Sequence, residues 1–552
     1  MHCNRLHFKP EQEEIEGYLV HYGVIGTAKE EGSEMDVTIQ HNPKLNVEGI
    51  LASQISLRHA VKEVESFKHE CLELDRKVGK IASLLKQVVR FSITNPAGLY
   101  ESPTRQIAME VEKTLERALG LALKKCRWSW MLKRVITITN VSDFWKVNLY
   151  LDCSIVNVQY LLNISASRED RPIQMGLPPI ASNEPVLSVV WDNVSIVHVG
   201  NAEEKAQGAS YLADLAKDSH NASIICEEGG VPPLLHLLRE GTPAGQEEAA
   251  RALGYLDADG RCVVRMRREG AITFFLEILV HGPMKVQAMV CWAISQFYAN
   301  APEAQVEIAS AGGIHLLVFL LGHDTVDDLS KTTIVHLENG KSSLQSSSLG
   351  TTSQNSWDNE DPETKAKLNS QAARALWKLA QNNIQNSKSI TDTRALLCFA
   401  RLIQFENDEN DFQYNCVIAV MEIARAAEHD AELCRAAFKT DSPAAKAVLD
   451  QLLRVIENGH PELQVPCLTA MGSLAHIFPA AAHVIPAISE ALASWDVAVA
   501  AEASCTLYNV HDFSVQGGAI LYFVGYILLD KDLRSSIWER NSSTTINTGI
   551  YC

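Results

Sequence analysis

The chain has 552 residues, with 49 Lys and Arg against 67 Asp and Glu, for a formal net charge of −18. Hydrophobic residues make up 46% and aromatic residues 7%, which suits a globular chain long enough for several domains. The acidic balance excludes the whole chain from the class of electrostatic nucleic-acid binders.

Residues 1–45 are polar, acidic and without hydrophobic period, so they are expected to be disordered. The opening MHCNRLHFKPEQEEIEG lacks the apolar run of a secretory signal. No Gly follows Met1, so myristoylation is not expected.

Residues 46–165 carry helical periodicity in about four segments: ILASQISLRHAVKEVESFKHE, LELDRKVGKIASLLKQVVRFS, PTRQIAMEVEKTLERALGLALKKC and Phe144–Leu162. In the third, Ile107, Val111, Leu115, Leu119 and Leu123 recur every four residues, as on the inner face of a bundle helix. Pro103, with Ser102 as N-cap, marks its start. An antiparallel four-helix bundle is the arrangement these segments predict. The Pro-rich stretch 166–184 reads as a linker.

From residue 185 to 510 the chain repeats itself. EGGVPPLLHLLREGTPAGQEEAARALGYL from Glu228, EGAITFFLEILVHGPMKVQAMVCWAISQF from Glu269 and AGGIHLLVFLLG from Ala311 share one pattern, with Val231, Ile272 and Ile314 spaced 41 and 42 residues apart. A period in the low forties, a turn glycine and paired apolar helices point to an armadillo or HEAT solenoid, because no single unit can bury its own apolar face. Gly229, Gly230, Gly270, Gly312 and Gly313 supply the turns. Ala252, Ala293, Ala375, Ala419, Ala470 and Ala503 occupy the predicted point of closest helix packing, and Tyr211 falls one period before Ala252. Six or seven units result.

The interval between Ala293 and Ala375 is 82 residues, one period plus an insertion at about 322–366. Its centre, GKSSLQSSSLGTTSQNSWDNED, is too polar to offset its ordering entropy and is expected to be disordered. Residues 511–552 form an atypical tail whose longest apolar run, AILYFVGYILL at 519–529, is too short to span a bilayer.

Thirteen cysteines lie scattered without a Cys-x-x-Cys pair, against a disulfide framework or zinc site and in favour of a reducing, cytoplasmic or nuclear compartment. Cys291, Cys416, Cys467 and Cys505 read as small apolar fillers of repeat helices. No phosphate loop, His-Glu-x-x-His helix or Gly-x-Ser-x-Gly elbow is found, so neither enzyme, metal nor cofactor is expected.

The strings LYESPTRQI, MLKRVITI, GLPPIASNEP, EEGGVPPLL, GQEEAARALG, MKVQAMVCWAISQ, AARALWKLA, SITDTRALLCFARLI and SPAAKAVLDQLLRVIEN occur in order between about Val61 and Val510. On these the chain resembles the plant Armadillo Repeat Only family. The resemblance implies a helical bundle followed by a right-handed armadillo superhelix. It also implies a scaffold for Rho-type GTPases of plants (ROPs) and their regulators in polarised growth. Residues 1–48 and those after about Asn509 depart from the family pattern.

Two sets of binding residues are expected. Third helices of an armadillo unit line its concave groove, which marks Arg251, Trp292, Gln296 and Arg374 as peptide contacts. An importin-type groove requires repeated Trp and Asn ladders; Arg251 and Arg374 stand where such a ladder would repeat Trp292. The second set is basic. Between Lys113 and Lys146 eight basic side chains face two acidic ones, a local balance of +6 around Trp128 and Trp130. Lys124, Lys125, Arg127, Lys133 and Arg134 are the candidates there for an anionic membrane surface. Arg261, Arg265, Arg267 and Arg268 form a second cluster suited to phosphate or acidic partners. The expected function is a cytoplasmic, membrane-peripheral scaffold. A ubiquitin-ligase-like adaptor without a U-box and a nuclear transport or transcriptional adaptor are the alternatives.

Overall fold

The computed structural model describes residues 55–59, 61, 67–94, 100–126, 141–165, 177–258, 260–297, 302–322, 360–404, 410–439, 442–475, 477 and 484–512. The expectations for 1–45, for the centre of the insertion and for most of the tail lie outside them. Among the described residues all regular structure is helical, and the fold is all-α, built of armadillo-type helix triplets. No single helix there is long and apolar enough to cross a membrane. The chain divides into two compact units, Met1–Ala252 and Leu253–Cys552.

The first unit begins with a helical turn at 55–59 and three long helices, α1 (Lys68–Thr94), α2 (Glu101–Cys126) and α3 (Val141–Ser165). Ile107, Val111 and Leu115 of α2 are buried, as their four-residue spacing predicts, against Leu74, Ile81 and Leu85 of α1 and Phe144, Leu151 and Val158 of α3. The stretch read as a linker ends sooner than predicted. Pro179–Ala181 form a 3-10 turn, the Ile180 amide donates to Asn157 Oδ1 at 3.2 Å, and Ala181 is fully buried.

α4 (Pro185–Val199) and α5 (Ala202–Leu215) form the first helical pair, with Asn201 and Glu204 closing a reciprocal capping box on α5. α6 (Ser219–Glu227), α7 (Val231–Glu240) and α8 (Pro243–Tyr255) form the first full triplet. Tyr211, one period before Ala252, falls in α5, where its side chain is 55% exposed while Ala209, Leu212 and Ala213 around it are buried.

The bundle and the first triplet meet at one carboxylate. Glu228, buried in the turn after α6, accepts from Trp191 Nε1 at 2.7 Å, Ser102 Oγ at 2.5 Å and Gln106 Nε2 at 2.9 Å, while Tyr100 donates its hydroxyl to the Glu228 carbonyl. Ser102 is therefore not the N-cap expected from Pro103. Helix α2 starts at Glu101, two residues earlier than that cap implies, and the hydroxyl reaches across to the repeat.

The second unit holds α9 (Gly260–Arg268), α10 (Ala271–His281) and α11 (Met284–Gln296), followed by α12 (Pro302–Ser310), α13 (Gly313–Gly322) and α14 (Pro362–Ala380). Next come α15 (Ile384–Asp392), α16 (Ala395–Gln404) and α17 (Asn410–His429), then α18 (Ala431–Ala437), α19 (Pro443–Asn458) and α20 (Pro461–Ser473). The pair α21 (Val484–Ala491) and α22 (Val497–Asp512) completes the described array.

Equivalent helices pack on one another: α11, α14, α17, α20 and α22 form a continuous third-helix row. Helix α14 stacks directly on α11, so the 82-residue interval is one unit interrupted between its second and third helices. The insertion is shorter than predicted. Asp361 caps Thr364 N at 2.8 Å, and helix is already formed from Pro362. At the other end α22 runs to Asp512, two residues beyond the predicted last repeat.

The predicted alanines all sit at tight contacts. Ala252, Ala293, Ala375, Ala419, Ala470 and Ala503 are at most 1% exposed. The turn glycines divide into two roles. Gly229, Gly270 and Gly312 take φ of 81°, 81° and 86°, the left-handed region that L side chains enter at a cost. Gly230 and Gly313 are needed for space, since an added Cβ would lie 2.6 Å from Ile225 Cγ2 and 2.5 Å from Ile308 Cγ2.

Candidate functional site

In α11 only Lys285, Met289, Trp292 and Gln296 escape full burial, and their spacing of four, three and four residues places them on one face. The same face of α14 carries Gln371, Arg374 and Lys378, with Trp377 beside them, all half-buried. Two adjacent third helices thus present one polar and aromatic stripe.

Each side chain of the stripe is positioned by its neighbours. The Trp292 ring meets Tyr255 edge-on, with centroids 4.9 Å apart. Gly254 leaves room for it, because a Cβ there would fall 2.4 Å from Trp292 Cζ3. Gln296 Nε2 donates to Ser295 Oγ at 3.2 Å. Trp377 donates its indole N–H to Asn415 Oδ1 at 3.1 Å, and Asn415 in turn donates to Ser370 Oγ at 3.1 Å. Lys378 Nζ lies 4.1 Å from the Trp377 ring centroid, a cation–π contact.

The electrostatics of this stripe are cationic. Burial, and next the charge of Arg374, hold the Lys378 ammonium below its ordinary pKa, while Glu422 acts in the opposite sense. Burial pushes the Glu422 carboxyl up, against the pull of Arg425 and Lys378. Arg374 itself makes no hydrogen bond or ion pair among the described residues.

Further along, the row is occupied by its own side chains. Ile418 and Glu422 of α17 are nearly buried, and Thr469 Oγ1 of α20 donates to Glu502 Oε1 of α22 at 2.6 Å.

Of the four predicted groove residues, Trp292, Gln296 and Arg374 share this stripe. Arg251 lies in the first unit, where its guanidinium donates to Glu248 Oε2 at 2.6 and 2.8 Å, Asp214 Oδ1 at 3.1 Å and Ser210 Oγ at 3.0 Å. Those bonds hold Asp214 below the usual carboxylate range, Lys217 contributing most and Arg251 next.

The arginine cluster of α9 divides in the same way. Arg261, Arg265 and Arg268 follow one helical face, whereas Arg267 turns away to bind Glu303 Oε2 at 2.7 Å and Glu307 Oε2 at 2.9 Å. These two partners hold the Arg267 guanidinium above its ordinary pKa.

Lys124 and Lys125 fall in the last turn of α2. Their side chains, with Arg127, Trp128, Trp130, Lys133 and Arg134, lie outside the described residues. What is described nearby is Trp145 of α3, 65% exposed, with Leu149 exposed one turn on and Arg117 placed 5.1 Å over the Tyr150 ring.

Four glutamines form a repeated device that the sequence reading missed. Gln246, Gln287, Gln413 and Gln464 each donate Nε2 to a backbone carbonyl at the end of the preceding second helix: Leu238, Leu279, Ile403 and Ile456, at 2.7–3.2 Å. Each stands six residues before one of the predicted alanines, Ala252, Ala293, Ala419 and Ala470. That spacing was legible. It satisfies carbonyls that a helix end leaves without an intrahelical partner.

The described cysteines carry no disulfide, and burial pushes the thiols of Cys291, Cys416 and Cys467 up. Among the described residues no group of three His, Cys, Asp or Glu could hold a metal ion.

Comparison with known proteins agrees with the repeat. Residues 218–256 match the model of the armadillo/beta-catenin-like repeat, the segment spanned by α6, α7 and α8. Residues 45–166 match a domain of unknown function (DUF7792). No curated protein sequence matches the chain. Among solved structures, an engineered protein from the Northeast Structural Genomics Consortium is 18% identical, with TM-score 0.44, covering 83% of this chain and 99% of its own. A designed armadillo repeat protein is 17% identical, with TM-score 0.39 and coverage of 51% and 98%. Another, in complex with the peptide (KR)4, is 15% identical, with TM-score 0.39 and coverage of 51% and 99%.

Proposed function

We propose that this chain is a non-enzymatic protein-interaction scaffold whose third-helix face in the second unit holds an extended segment of a partner. The observation that carries this is the half-buried stripe of Trp292, Gln296, Arg374, Trp377 and Lys378 on two adjacent third helices. Aromatic and arginine side chains in such partly desolvated positions are the residue types that dominate protein interfaces.

The partners are Rho-type GTPases of plants and their regulators, and the scaffold joins them to the plasma membrane in polarised growth. The ordered strings from LYESPTRQI to SPAAKAVLDQLLRVIEN support that assignment. The chain acts in the cytoplasm and peripherally at the plasma membrane. Attachment there uses the basic surface around 113–146, where the exposed Trp145 and Leu149 stand beside Lys146 and Arg117. Each basic side chain near an anionic leaflet contributes about 1 kcal/mol.

Pull-down of the full chain with GTP-locked and GDP-locked ROP tests the GTPase assignment; capture of neither form refutes it. Flotation with vesicles containing phosphatidylserine tests attachment. Loss of flotation in a variant with Lys124, Lys125, Lys133 and Arg134 changed to Glu is the expected result, and equal flotation of both proteins would move attachment elsewhere.

A further inference from the structure

The stripe on α11 and α14 differs in charge from the chain that carries it. The protein has a formal net charge of −18, yet the charged side chains of this stripe, Lys285, Arg374 and Lys378, are all cations. Arg374 and Lys378 stand four residues apart on one helix face, close enough that each raises the other's electrostatic energy. Glu422 relieves Lys378, but it is itself nearly buried and drawn toward Arg425, 3.5 Å away. Arg374 is left half-buried with no carboxylate bonded to it among the described residues.

A buried or half-buried guanidinium presents five donors in a planar fork that matches a carboxylate. Elsewhere in the molecule that match is met internally: Arg251 binds Glu248 and Asp214, and Arg267 binds Glu303 and Glu307. Arg374 lacks this internal match. Trp292, one helix away in the equivalent position, adds an aromatic surface, with an edge fixed by Tyr255 and a back wall at Gly254.

We propose that the face formed by α11 and α14 receives an extended acidic segment of a partner protein, its carboxylates set against Arg374 and Lys378 and its apolar side chains against Trp292. This deepens the scaffold reading and rests on it. Charge complementarity selects the occupant: a basic segment would bring like charge onto two cations already adjacent, which costs affinity. Arg374 and Lys378 then act as specificity residues, while Trp292 supplies contact area that is indifferent to charge.

The test is selection from a displayed random-peptide library on the full chain, followed by fluorescence anisotropy of the enriched peptides. Enriched sequences of net negative charge are expected. Their affinity should fall about tenfold in Arg374→Gln, fall further in the double variant Arg374→Glu, Lys378→Glu, and weaken as salt rises. Unchanged thermal melting of Arg374→Gln keeps the loss from being one of folding; were it to melt early, Arg374→Lys, which retains charge without the fork, replaces it. Enriched peptides that are neutral or basic and lose binding in Trp292→Ala would overturn the acidic assignment while leaving the scaffold reading intact. Enrichment unaffected by Trp292→Ala and by both charge variants would remove the face itself, and both readings with it.

Discussion

Ala293→Asp places a carboxyl at the tightest contact of the third-helix row. Ala293 is fully buried in α11, which packs on α14 through a stretch that includes the equally buried Ala375. Three costs add. Extra atoms in a filled contact cost about 1–3 kcal/mol, an unsatisfied polar group about 1–3 kcal/mol, and Asp in place of Ala in a helix interior roughly 0.6 kcal/mol. The carboxyl escapes a larger penalty by staying protonated, as burial does for Asp257 in the same unit. The expected loss is therefore about 3–6 kcal/mol, concentrated at α11 and α14. Because repeat arrays unfold in parts, the assay is urea denaturation combined with hydrogen exchange resolved by helix. Ala244→Asp, exposed in the first turn of α8, is the control and should be neutral or slightly stabilising. Equal urea midpoints and equal protection of α11 and α14 in wild type and Ala293→Asp would refute the repeat register.

Gln287→Leu keeps the side-chain volume but leaves the Leu279 carbonyl without its donor, and should cost about 1–3 kcal/mol by urea midpoint. Glu228→Gln turns an amide donor toward Trp191, Ser102 and Gln106, all of them donors, and should lower protection of α2 amides in hydrogen exchange. Arg394 holds φ of 63° at the turn where other units place Gly, so Arg394→Gly should stabilise by about 1 kcal/mol in a thermal melt. Asp257 has its pKa pushed up by burial from 3.8 to about 7. Between those values the folded protein keeps a proton that the unfolded chain has lost, so this group makes stability fall as pH rises from about 4 to about 7, by on the order of 4 kcal/mol. Asp257→Asn should flatten that fall across a pH series of urea midpoints and leave stability near pH 4 unchanged.

The repeat was legible because its physics is local and periodic. An alanine every 33 to 51 residues in the uninterrupted units marks where helices touch, and a helix of ordinary length shows one apolar face on either side of it. The same period reached back to Tyr211, which lies in α5 of a helical pair that precedes the first full triplet. Ser102 was misread for a different reason. Its partner, Glu228, lies 126 residues away, and nothing local distinguishes a capping hydroxyl from one reaching into another element. Arg251, Arg267 and Arg374 look alike in sequence. Only the placement of Glu248, Asp214, Glu303 and Glu307 separates the two that are paired internally from the one that has no carboxylate bonded to it among the described residues. Trp377 was visible in AARALWKLA but was passed over in favour of the residue aligned with Trp292. Its hydrogen bond to Asn415 depends on α17 packing against α14.

Hydrogen exchange of the full chain with and without a captured partner segment tests the central claim most directly. The account predicts new protection in 284–296 and 362–380, the helices that carry Trp292, Arg374 and Trp377, with the arginine face of α9 unchanged. Protection confined to α9 or to the bundle helices α1, α2 and α3, with α11 and α14 exchanging as before, would contradict it.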